Sequence, residues 1–171
     1  MSDLFNQITE DPDPLKKLVS LIPGFKGYIE LANRKEADKL LRETVASRFE
    51  QLWQRVSALQ RDMLNEGYLA YMDDLESAAI KLRTFADRIR TASYGYSSVF
   101  EAVQIKGEEL AKIYEYALAM LQQVDEVDRA IGNVEASIGS DGLPAAVRNL
   151  VSLSRSVIEV FDNRERVILS I

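Results

Sequence analysis

Residues 68–90, "YLAYMDDLESAAIKLRTFADRIR", decide the fold. Tyr68, Met72, Leu75, Ala79, Leu82, Ala86 and Ile89 recur with steps that alternate four and three. That spacing follows the α-helical period and places all seven on one face. The charges run with the helix macrodipole: Glu66, Asp73, Asp74 and Glu76 come early, and Lys81, Arg83, Arg88 and Arg90 come late. The segment therefore predicts an amphipathic helix over about 68–92.

The same pattern extends in both directions. Leu41, Val45, Phe49, Leu52, Val56, Leu59 and Met63 form a stripe that predicts a helix over about 29–65, and Asn65-Glu66-Gly67 reads as its end, with Gly67 as a left-handed cap. Leu110, Ile113, Ala117, Met120, Val124, Val127, Ile131, Val134 and Ile138 predict a helix over 107–138. "GSDG" at 139–142 breaks the chain, and a last helix starts near Pro144, carrying Val147, Leu150, Val151, Val157, Ile158, Phe161 and Ile168. No proline lies between Gly27 and Leu143, and no run alternates with period two. Ahead of these, Asp13-Pro14 reads as an N-cap and first position of a short helix over 14–22, which Pro23-Gly24 stops. The expectation is an all-α single domain: an elongated antiparallel bundle of four long helices over 29–169, a short N-terminal amphipathic helix, and a flexible acidic lead over 1–13.

Composition narrows the chemistry. The 171 residues contain neither histidine nor cysteine, which removes catalytic triads, HExxH zinc sites, thiolate chemistry and the Glu-x-x-His di-iron pattern. The net charge of −6 argues against nucleic acid as a general partner. It resides in residues 66–140, which hold 7 basic and 13 acidic side chains. The opening residues lack the apolar run of a secretory signal, and no stretch has the length of a membrane span, so the expected setting is cytoplasmic.

Acidic clusters invite comparison with magnesium sites. The E-E-x-x-E pattern of helical pyrophosphatases fails at Lys112 after Glu108-Glu109, and the D-D-x-x-D pattern of terpenoid synthases fails because Asp73-Asp74 is followed by Leu75, Glu76 and Ser77. Asp125 and Asp128 share a helix face, and solvated faces and helix N-termini account for such acids more simply than a metal does. No cofactor or metal is expected. The basic run Arg34, Lys35, Lys39, Arg42, Arg48, Arg55 and Arg61 is interleaved with Glu36, Asp38, Glu43, Glu50 and Asp62, and reads as an exposed face laced with ion pairs.

Two surfaces stand out. Tyr94, Tyr96 and Phe100 cluster in "TASYGYSSVFEAV" at 91–103, where Gly95 suits a corner and Ser98-x-x-Glu101 a capping box. This reads as a plug for one bundle end or as a contact surface. The second is the basic amphipathic stretch formed by Leu15, Lys16, Lys17, Leu18, Val19, Ile22, Phe25 and Lys26. It suits docking on the bundle, on a partner helix or on an anionic membrane surface. The functional expectation is a non-catalytic interaction or assembly protein that works through protein contacts, including self-association. Self-association is expected because the second stripe is longer than the third or fifth helix can cover. The alternatives are a peripheral membrane protein and, less favoured, a magnesium-dependent hydrolase.

Overall fold

The computed structural model describes residues 13–27, 34–92 and 107–169. Five α-helices account for nearly all of them: α1 (Pro14–Leu21), α2 (Arg34–Asn65), α3 (Met72–Thr91), α4 (Gly107–Ser137) and α5 (Leu143–Leu169). A short 3-10 turn, Leu69–Tyr71, leads into α3. The all-α expectation holds, and helix bounds differ from the sequence reading by one or two residues at most ends. The largest difference is in the third helix, whose first residues form the 3-10 turn instead. The start of the second helix and the Tyr94, Tyr96 and Phe100 cluster lie outside the described residues.

Local chemistry sets the helix ends. The Asp13 carboxylate accepts the Leu15 N–H at 3.0 Å, with Pro14 in the first turn. At the other end of α2, Gly67 has φ +89°, Tyr68 N–H donates to the Met63 carbonyl at 2.9 Å, and Gly67 N–H donates to Leu64 at 3.1 Å. This is a Schellman cap, which needs a residue that accepts the left-handed conformation without penalty.

The four long helices pack in a ring, α2 against α3, α3 against α5, α5 against α4 and α4 against α2, and α1 lies on α4. Consecutive helices reverse direction. Arg42 near the start of α2 reaches the Arg90 carbonyl at the end of α3, and Gln60 near the end of α2 reaches the Met72 carbonyl at the start of α3. Across the ring's other two sides, neighbours run the same way. Arg55 of α2 meets Asp128 and Glu135 of α4, and Arg48, two turns earlier, lies within electrostatic reach of Asp125. Tyr68 before α3 approaches Gly139 before α5, while Phe85 late in α3 meets Phe161 late in α5. The molecule is thus two helical hairpins laid side by side. At 1.5 Å per residue, the 32-residue α2 spans roughly 48 Å.

The interior follows the stripes. All seven α2 positions from Leu41 to Met63 are buried, as are Leu75, Ala79, Leu82, Ala86 and Ile89 of α3. Tyr68 and Met72 are only partly buried. Ala78 and Phe85 widen the α3 face. Phe85 sits at the centre: its ring meets Phe49 of α2 at 4.5 Å and Phe161 of α5 at 5.8 Å, both edge-on. The Leu41-to-Met63 stripe of α2 is therefore covered inside a single chain. The surplus from which self-association was expected is not left over.

One reading of the basic run is corrected. Lys39 and Glu43 do pair on the surface at 3.8 Å, but Asp38 and Arg42 are buried. Arg42 Nε donates to Asp38 Oδ2 at 2.8 Å, and Nη1 donates to the Ile89 and Arg90 carbonyls at 3.4 and 3.1 Å. The last carbonyls of a helix lack partners within it. A buried arginine fork supplies them, which is why this pair lies between helices rather than in solvent.

Candidate contact surfaces

The N-terminal segment turns its apolar residues inward. Leu18, Ile22 and Phe25 are buried, and Leu15 is packed against the core. Phe25 meets the Tyr114 ring of α4 edge-on at 6.5 Å. Lys16 and Lys26 are exposed, Lys17 is half-buried, and Val19 alone among the apolar set stands well out, at 48% exposure. Gly27 closes the segment. Its φ is +87°, and a Cβ there would lie 2.7 Å from the Tyr114 hydroxyl and 3.0 Å from Leu15. Gly27→Ala is therefore expected to cost about 1–3 kcal/mol and to loosen the segment from α4, seen as faster amide exchange over residues 15–25.

A surface that the sequence reading did not single out lies on the α2–α3 hairpin. Four large apolar side chains are exposed among the described residues: Val19, Leu64 at 48%, Leu69 at 66% and Ile80 at 53%. Three of them belong to this hairpin. Trp53 is half-buried on it, with the Arg83 guanidinium 5.4 Å from its ring centroid. The signal was available: Leu64 follows the stripe residue Met63, Ile80 follows Ala79, and Leu69 falls between Tyr68 and Met72. Leu64 and Ile80 each follow a stripe residue by one helical step of about 100°, which turns them off the centre of the core face, and Leu69 belongs to the 3-10 turn.

The hairpin's turn is also where the negative charge gathers. Asp62, Glu66, Asp73, Asp74 and Glu76 are exposed around it, and Asp141 is exposed in the adjoining α4–α5 turn. Tyr68 links the two turns, its hydroxyl lying 3.8 Å from where a Cβ on Gly139 would stand. None of these six carboxylates has an ion pair among the described residues. Arg61 is the one base in residues 61–76 and 135–142.

The acids of α4 are occupied differently. Arg55 bridges Asp128 and Glu135, the latter at 3.1 Å. Burial raises the Asp125 pKa, Arg129 offsets part of that, Asp128 adds to it, and Arg48 lowers it. Among the described residues no three acidic side chains are placed to hold a metal ion. A native pKa above the unfolded value of 3.8 means that Asp125 favours the fold while protonated and loses that contribution as pH rises through the native value. Asp125→Asn is thus expected to be more stable than the parent at pH 7, by less than about 1 kcal/mol because the group is partly solvated. The gain should vanish in melts below pH 3.8.

No helix of the described residues is long and apolar enough to cross a membrane. Comparison of the chain with protein-family models, with curated proteins and with solved structures gives no match. The class that the fold defines is an all-α helical bundle.

Proposed function

We propose that this chain is a non-catalytic interaction or assembly protein, and that the outer face of the α2–α3 hairpin makes the contact. One observation carries the reading: the stripes are buried, yet of the four large apolar side chains exposed among the described residues, Leu64, Leu69 and Ile80 lie on this hairpin. Trp53 and Arg83 on the same hairpin are the residue types that dominate binding hot spots. The test compares the parent with Leu64→Ser/Leu69→Ser/Ile80→Ser and with an Arg148→Ser/Glu159→Ser control on α5. Proteins retained from extracts of the source cells are quantified, and the leading one is reconstituted from purified components. A complex lost in the triple variant and kept in the control supports the reading. Equal retention by all three overturns it. Self-association through the same face is the version in which the partner is a second copy, and light scattering across the micromolar range reports it.

The membrane alternative draws on Lys16, Val19 and Lys26, which are exposed on the N-terminal segment. It requires α1 to release Leu18, Ile22 and Phe25 from the core. Flotation with anionic liposomes tests it, using Val19→Asp, which leaves the buried face intact. Flotation of the parent that the substitution abolishes supports a membrane foot. Absence of flotation removes it.

A further inference from the structure

We infer that the partner taken by the turn end of the α2–α3 hairpin is a basic amphipathic segment, one that offers apolar side chains to Leu64 and Leu69 and cationic side chains to the carboxylates around them. The inference rests on the contact reading above and specifies its chemistry. Two independent features support it. The first is apolar. Leu64 and Leu69 stand on either side of the Gly67 cap, exposed by 48% and 66%, beside half-buried Tyr68. Apolar groups rimmed by charge are the common plan of a peptide-binding face.

The second is electrostatic, and it separates two kinds of acid. Asp73 and Asp74 sit in the first turn of α3, where the macrodipole favours them. Asp62 and Glu66 have the opposite placement. Asp62 is in the last turn of α2, which has no base, and Glu66 is its cap, so both face the negative end of the dipole. Neither has an ion pair among the described residues. These two oppose stability without any return from the fold itself, whereas Asp141, just ahead of α5, stands with Asp73 and Asp74 at a favourable helix end. Residues that cost stability where nothing local compensates are characteristic of binding surfaces. A field of this sign repels anionic lipid and nucleic acid and attracts cationic side chains.

The probe is a synthetic helical peptide of leucine and lysine, with leucine at i, i+3, i+4 and i+7. The comparison peptide keeps the leucines and replaces every lysine with glutamate. Amide chemical shifts of the full chain are followed in titrations with each. The expected result is saturable change confined to residues 62–76 and 139–142 with the lysine peptide and none with the glutamate peptide. Leu64→Ser/Leu69→Ser should weaken that binding by about tenfold or more at unchanged melting temperature. Asp62→Asn/Glu66→Gln should weaken it too, while raising the melting temperature by a few degrees.

Equal binding of the two peptides at this end overturns the basic partner and leaves the contact surface standing. Changes scattered over the whole surface, or no change at millimolar peptide, overturn the inference outright. So does a fall in melting temperature for Asp62→Asn/Glu66→Gln, which would make those acids structural. Shifts in the same residues that depend on protein concentration without peptide would assign the surface to a second copy instead.

Discussion

Phe85→Ala is expected to lower the unfolding free energy by about 3–5 kcal/mol, measured by urea denaturation. Phe85 is almost fully buried and touches rings on two other helices, Phe49 at 4.5 Å and Phe161 at 5.8 Å. Removing it deletes the burial of a large side chain and both edge-to-face contacts. It also leaves a cavity that α2, α3 and α5 cannot close together, because each is held elsewhere along its length. Ile80→Ala, on the same helix but outward, should change stability by no more than about 0.5 kcal/mol. A Phe85→Ala loss as small as that would mean the three helices do not meet at this ring.

Arg42→Ala should be comparably severe, at about 3–5 kcal/mol, for an electrostatic reason. The substitution removes the arginine paired with the buried Asp38 carboxylate, whose side chain is 5% exposed, and takes the donor from the last carbonyls of α3. Lysine in its place should recover little, since an ammonium cannot serve a carboxylate and two carbonyls with a planar fork. The double variant Asp38→Leu/Arg42→Met should lie closer to the parent than Arg42→Ala, because it removes the buried carboxylate along with its arginine. If the double variant is the worse of the two, the pair itself stabilises the fold, and its value is more than mutual compensation.

The stripes were legible because burial on one face imposes a period, and the period survives in a single sequence. The Leu41-to-Met63 series and the Leu75-to-Ile89 core of the next stripe are buried without exception. Helix ends were legible where one residue type carries the geometry, as Asp13-Pro14 and Gly67 do. Which helix neighbours which was not, because a stripe states that a face is covered and says nothing of what covers it. For the same reason, the inward docking of Leu18, Ile22 and Phe25 could be weighed against a membrane but not decided from spacing. Arg42 was misread because an arginine four residues from an aspartate looks the same in sequence whether water or a helix terminus lies beyond it. The hairpin surface was missed because attention to the stripes passes over the large apolar residues beside them.

The arrangement of helices also bears on how the chain finds its structure. α2 pairs with α3 and α4 with α5 across turns of only a few residues, so half the ring forms from contacts close in sequence. The other two sides join residues such as Arg55 and Glu135, 80 positions apart. Short-range pairing loses little loop entropy, whereas long-range pairing must wait for it to be overcome. Each hairpin is therefore expected to form before the two dock around Phe85, an order that stopped-flow refolding of variants in each hairpin and in the seam would test. Destabilising either hairpin internally should slow folding, whereas weakening the seam at Arg55 should chiefly speed unfolding.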